Sequence, residues 1–323
     1  LIPLAGTTVG LIFVIGVLSA GGAGMAGPAV LMAATTRLVA PEKRALATGV
    51  VNAGGSFGQF VFAPLAQTIT SAAGWMAAVQ TLAMLTLLAL PAAWALRAPK
   101  QTAAQAAAPR ISTGQAVREA WAHPGYRLLA LGFTVCGFHV AFLATHLPGV
   151  VASCGLAPEV GAWSLAMLGL FNIVGSIGIG ALMGWQNGRL RMKSLLSAIY
   201  AMRAIAVLVF VLAPKTTAVM LAFAAVMGLT FLSTVPPTAG LVARFFGPAH
   251  MATLFGLVMV SHQIGGFFGA WLGGKVFEAY GSYNWIWVAD ILLAVAAALI
   301  HLPIKEQRTA QAAAGRPSIA AKA

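Results

Sequence analysis

The chain has 323 residues, of which 60% are hydrophobic and 8% are charged. A soluble domain carries about 25% charged residues, so a water-covered fold of this size is excluded and lipid must be the solvent for much of the surface. The net charge of +13 does not point to a nucleic-acid partner, because the basic residues are scattered through short loops between apolar runs instead of clustering on one amphipathic element.

A membrane-spanning helix needs about 20 apolar residues. In chain order, the pattern predicts an all-α membrane protein with spans near 9–36, 45–69, 75–96, 128–150, 160–184, 194–213, 217–243, 251–275 and 285–304. The longest polar stretch lies between the third and fourth of these. Its 99–116 portion is rich in Ala and Gln and contains Pro99 and Pro109, a composition suited to a flexible linker. The expected division is therefore a partial first bundle over 1–96, a linker over 97–127, a second bundle over 128–304 and a tail over 305–323.

Lys and Arg concentrate in cytoplasmic loops. Placing 37–44, 97–127, 185–193, 244–250 and the tail on that side makes all but three of the 19 basic residues cytoplasmic. The exceptions are Lys215, Lys275 and Arg203, the last of them at mid-membrane. The cell (inner) membrane is the expected location, with linker and C-terminus in the cytoplasm. Cys136 and Cys154 match no metal or redox spacing and read as small apolar fillers. No cofactor is expected.

Two stretches match without gaps at an offset of 207. Arg37 pairs with Arg244, Pro41 with Pro248, Ala45 with Ala252, Gly49 with Gly256, Gly58 with Gly265, Phe60 with Phe267, Leu65 with Leu272 and Gly74 with Gly281. Each copy is a helix, a short basic loop, a second helix and a Gly turn, so both share one orientation. Parallel halves of this kind characterise one transporter architecture. The offset also predicts that the first half starts roughly 80 residues before Leu1, enough for about three more spans at 20-odd residues each. Residues 1–6 then end a third helix, and the spans are helices four to twelve of twelve.

Several motifs fit one family. They are Gly27-Pro28, Pro41-Glu42-Lys43-Arg44, Asn52-Ala53-Gly54-Gly55-Ser56-Phe57-Gly58-Gln59, Phe171-Asn172-Ile173-Val174-Gly175-Ser176, Ser261-His262-Gln263 and Gly269-Ala270-Trp271-Leu272-Gly273. On these residues the chain resembles the major facilitator superfamily, and within it the bacterial relatives of monocarboxylate and oxalate:formate transporters. The resemblance implies two pseudo-symmetric six-helix bundles and alternating access. The subgroup usually carries an Arg where Ser176 stands and, in monocarboxylate carriers, an Asp where Asn172 stands, so the charged pair is here a neutral one. The segment from Gly180 to Arg189 resembles the superfamily's gating loop, with Gly184 where an Asp is expected.

In such a carrier the substrate sits near the midplane between bundles. Helices rise 1.5 Å per residue, so the middle of each span marks that depth. His139, Asn172, Arg203 and His262 fall there, with Asn52 and Ser56 within a turn. Ionisable groups at a helix centre cost at least about 2.5–3.5 kcal/mol, so their presence asks for a reason. The candidate substrate contacts are His139, Asn172, Ser176, His262, Gln263, Asn52 and Arg203. His139 and His262 are also candidates for proton coupling, because imidazole changes charge near neutral pH. The blander alternatives are histidines bonded to neighbouring backbone, with His146 one more of that kind, and an Arg203–Asp290 ion pair. Spacings such as Gly54/Gly58, Gly180/Gly184, Gly265/Gly269 and Gly269/Gly273 suit close helix packing. Pro28 and the Pro236-Pro237 pair are expected to interrupt their helices, and Trp121, Trp163, Trp185 and Trp285 to anchor at membrane edges.

No nucleotide loop and no helix-borne metal pair occurs in the sequence, and six acidic residues are few for an enzyme or an ATP-driven pump. The leading expectation is a secondary active transporter of a small organic anion, most simply a monocarboxylate, coupled to protons and monomeric when full length. An antiporter or drug exporter, and a non-transporting or truncated membrane protein, are the alternatives.

Overall fold

A computed structural model describes residues 2, 6–25, 27–95, 112–185, 190–247 and 250–307. The first part of the expected linker, residues Gln186 to Arg189 of the expected gating loop, Pro248 of the repeat and the tail from Arg308 lie outside them.

Among the described residues the chain is helical, with no strand. Thr8–Leu11 (α1) runs through a π-helical stretch, Ile12–Ser19, into Ala20–Met25 (α2), and Pro28–Leu38 (α3) follows. The longest element is Arg44–Thr86 (α4), followed by Ala89–Ala95 (α5). Then come Thr113–Ala122 (α6), Pro124–Ser153 (α7), Pro158–Gly184 (α8), Met192–Leu212 (α9), Thr217–Thr230 (α10), Val235–Phe246 (α11), Met251–Tyr280 (α12) and Asn284–His301 (α13).

Among the described residues, eight helical segments are long and apolar enough to cross a membrane, and each overlaps a predicted span. The ninth prediction, 45–69, is helical within α4 but is not among the eight. Asn52, Ser56 and Gln59, with several glycines, dilute its apolar character. Part of the expected linker is not coil: Ser112 caps α6, its side chain accepting from the Gln115 N–H at 3.2 Å, and Ala116 and Ala120 are buried.

The repeat has a structural counterpart at its turns. Gly74 splits α4 into two arms with φ of 83°, and its mate Gly281 ends α12 with φ of 62°. Both backbones are in the region that glycine alone enters without strain. Gly27 lies between α2 and α3, with Pro28 opening the latter. The helical run after Thr217 stops at Thr230, turns through 231–234 and resumes at Val235, where Pro236 and Pro237 occupy the first turn. Proline has no N–H to donate there and costs nothing at that position.

Glycines set the tightest contacts. At Gly265 and Gly269 an added Cβ would collide with the backbone of Thr134 and Phe138, so α12 lies directly on α7. At Gly49 and Gly180 it would come within 2.6 Å of Ser176 O and 2.8 Å of Ala45 O, so α4 lies equally close to α8. Gly54 and Gly184, by contrast, have nothing within 4 Å, and Gly58 only the Phe62 ring edge at 3.8 Å. Their spacing suggested packing that the described residues do not supply. Helix α8 also packs on α10, and α13 on α9 and α7. Two apolar clusters fill the interior, one around Phe133, Phe245 and Phe255, the other around Phe142, Phe210 and Trp287. Trp121, Trp163, Trp185 and Trp285 all face outward.

Candidate functional site

Polar side chains inside this apolar body gather in two groups that meet at the helix break. The first lies between α4 and α8. Asn52 Nδ2 donates to Ser176 Oγ at 2.8 Å and to Leu232 O at 2.9 Å. Asn172 Nδ2 donates to Ser56 Oγ, and its Oδ1 accepts from Leu232 N at 2.9 Å and from Ser176 Oγ at 3.3 Å. All four side chains are buried. The two helices run antiparallel, and the pairs Gly49–Gly180, Asn52–Ser176, Ser56–Asn172 and Phe60–Gly169 step along them in opposite directions. Small residues let the backbones approach, and neutral polar groups fill the seam, as expected where no water competes for hydrogen bonds.

The second group lies among α7, α9 and α13. His139 Nε2 is 3.2 Å from the backbone oxygen of Asp290 and 3.1 Å from its carboxyl Oδ1. The first is in hydrogen-bond geometry. The second is within ion-pair distance only, since Oδ1 and Oδ2 take no hydrogen bond. Arg203 is buried on α9. Its Nη2 donates to Thr230 O and to Phe231 O (2.7 Å), and lies 3.8 Å from Cys136 Sγ. It thus covers the last carbonyls of α10, the groups a helix end leaves unpaired. Cys136 Sγ is also 3.1 Å from Thr234 Oγ1.

The ion-pair partner of Asp290 is therefore His139, and Arg203 is held by backbone oxygens. The alternative reading of Arg203 and Asp290 as one salt bridge does not describe the arrangement. His262, on α12, lies beside the Cys136 side chain. Its Nδ1 is 3.0 Å from the side-chain oxygen of Gln263, its ring packs on Phe133 with centroids 5.0 Å apart, and its buried Nε2 has no partner among the described residues. Gln263 itself is exposed. His146 is held by Ala270 O at 2.7 Å, against Gly273 and the Tyr283 ring. No group of three or more potential metal ligands occurs among the described residues.

Of the sequence candidates, the structure brings Asn52, Asn172 and Ser176 together with Ser56, and joins His139 and Arg203 through their shared neighbourhood. His262 reaches that neighbourhood through Cys136, with Gln263 beside it. Sequence reasoning gave Asp290 and Cys136 only minor parts. Asp290 was detectable as an acid within an apolar span, but the helix face it presents was not.

The Major Facilitator Superfamily family model matches residues 1–202 and 181–322. The chain belongs to the Major Facilitator Superfamily. A curated relative is Monocarboxylate transporter 13 of Rattus norvegicus, 26% identical over 274 residues, which covers 81% of this chain and 60% of the relative. The chain thus spans less than two thirds of the length of that superfamily relative. Membership agrees with the eight apolar helices and makes this a multi-pass membrane protein.

Proposed function

We propose that the protein is a secondary active transporter of a small organic anion, most simply a monocarboxylate, moving it together with a proton by alternating access. The observation that carries the reading is a buried titratable pair, His139–Asp290, in a chain similar to a protein named a monocarboxylate transporter. Ionisable groups at this depth are costly unless they are used.

In this reading the α4–α8 seam is the contact between the two bundles. Asn52, Asn172 and Ser176 close it now and face the solute when it opens. His262 offers its unpartnered Nε2, with Gln263 beside it, as the anion contact. Arg203 supplies positive potential without a direct bond, its Nη2 being committed to the Thr230 and Phe231 carbonyls. The second proton-coupling candidate, His262, becomes cationic on protonation and neutral on release, which would tie anion affinity to pH. The protein acts as a monomer in the cell membrane, linker and C-terminus inside, without an enzymatic step or a cofactor. One observation favours a second reading. The seam is wholly neutral, which suits an uncharged solute and an antiporter of the drug-exporting kind.

Uptake of labelled acetate, lactate and pyruvate into proteoliposomes under an imposed inward proton gradient tests the proposal, with protein-free vesicles correcting for diffusion of the undissociated acids. The expected result is saturable accumulation that collapses with the gradient and falls at least tenfold in His262→Ala. Uptake no faster than in empty vesicles, or competition by cationic dyes but not by acids, would move the function to the second reading.

A further inference from the structure

Among the described residues, eight buried side-chain nitrogens and oxygens have no hydrogen-bond partner, and five of them converge where α7, α9 and α13 meet. They are Nδ1 of His139, Oδ1 and Oδ2 of Asp290, and Nε and Nη1 of Arg203. Buried polar groups are normally paired, so such a cluster calls for an explanation. Asp290 is the only aspartate in the sequence, and the five glutamates lie at or beyond the ends of the spans. Asp290, His139 and Arg203 are each no more than 1% exposed.

We propose that Asp290 and His139 hold one exchangeable proton, and that Arg203 passes its loss to the α4–α8 seam through the helix break at 231–234. The proposal rests on the proton-coupled reading above and gives it a residue that reading did not assign. With the proton between Asp290 Oδ1 and His139 Nε2, the carboxyl group needs no cation, and Arg203 stays on the Thr230 and Phe231 carbonyls. When the proton leaves, the carboxylate has within reach only the one N–H of neutral His139, which also serves the Asp290 backbone oxygen at 3.2 Å. Arg203 has two N–H-bearing nitrogens free and is the nearest fixed cation, so it is drawn off those carbonyls. The next residue in the chain, Leu232, holds both Asn52 and Asn172 through its backbone. Releasing the end of α10 therefore loosens the seam at the residue next to the arginine's anchor on Phe231.

The other ionisable groups around the site are accounted for. Cys136 on α7 touches Arg203. Tyr200 on α9 lies under the guanidinium at 5.2 Å and donates its hydroxyl to Gly132 O. His301 on α13 stacks on Tyr200 with centroids 5.1 Å apart, His262 on α12 lies beside Cys136, and α8 and α10 bring no ionisable residue except Glu159 at the far end of α8.

The test is isotope-edited infrared spectroscopy of the purified protein in lipid nanodiscs, with aspartate labelled with 13C at its side-chain carboxyl. Between pH 5 and 9 the protonated-acid band is expected to give way to a carboxylate band. Both bands are lost in Asp290→Asn and also in Asp290→Glu, which keeps a carboxyl group but removes the label, so one variant that fails to assemble leaves the assignment intact. In Asn172→Ala the midpoint is expected to move by about half a pH unit or more, since coupled networks carry energies of that order. An Asp290 band unchanged from pH 5 to 9 would overturn the proton site. An unmoved midpoint in Asn172→Ala would overturn the relay. Absent anion uptake with an intact titration would remove the symport reading and leave this site standing.

Discussion

Asn172 shows how much one side chain can hold in a solvent without water. Its amide donates to Ser56, and its oxygen serves both Ser176 and the backbone N–H of Leu232. Asn172→Ala leaves that N–H unpaired and should cost about 1–3 kcal/mol, read as a lower melting temperature in detergent. Asn52→Ala should cost less alone. Because both residues hold Leu232, the double variant should fall short of the sum by about 0.5 kcal/mol or more; strict additivity would show that the two do not form one network. At this scale the sequence was informative in one dimension. Depth along each helix picked out Asn52, His139, Asn172, Arg203 and His262, and among the described residues all are buried. What depth does not give is direction around the helix. Asp290 lies within reach of both Arg203 and His139 by depth, and only the rotation of α13 decides that His139 is its partner.

At the scale of elements, glycine pairs with the same sequence spacing behave differently. Gly180→Ala pushes a Cβ to 2.8 Å from the Ala45 carbonyl, and neither backbone can yield cheaply. A cost of about 1–3 kcal/mol is expected. Gly54→Ala, with open space around it, should be neutral or stabilising by up to about 1 kcal/mol, since alanine is the better helix former. Thermal unfolding of the two variants side by side checks the contrast. Spacing announces that a helix can be approached closely; whether a neighbour comes is a property of the fold. The start of α7 offers a test by pH. His123 caps it, with Nδ1 accepting from the Tyr126 N–H at 3.2 Å, and burial lowers its basicity below the ordinary 6.5. The folded chain thus takes up this proton less readily than the unfolded one. The cap is fully present above pH 6.5 and is lost as pH falls through the depressed folded value. His123→Ser, which caps without titrating, should remove a loss of about 1 kcal/mol seen in acid, measured as melting temperature against pH.

For the whole molecule, hydropathy and charge were enough to read a polytopic helical protein, because lipid imposes continuous apolar helices and little else. Eight of nine predicted spans appear among the apolar helices. The ninth, 45–69, is the polar wall of the α4–α8 seam, and its low hydropathy reflects what it packs against. The 207-residue repeat was legible because its glycine turns recur, and both turns have the positive φ that requires glycine. The helix break at 231–234 was signalled by Pro236 and Pro237. The role of its carbonyls as the anchor for Arg203 was not, since backbone atoms leave no mark in a sequence. Two polar groups, one between α4 and α8 and one among α7, α9 and α13, are thus joined by a four-residue turn. In the proposed symport, proton and anion move together. Its most direct test is an internal pH dye in proteoliposomes challenged with an inward lactate gradient at equal pH on both sides. The account predicts alkalinisation of the outside and acidification inside, beyond that of empty vesicles and abolished in Asp290→Asn; an internal pH trace identical to that of protein-free vesicles would contradict it.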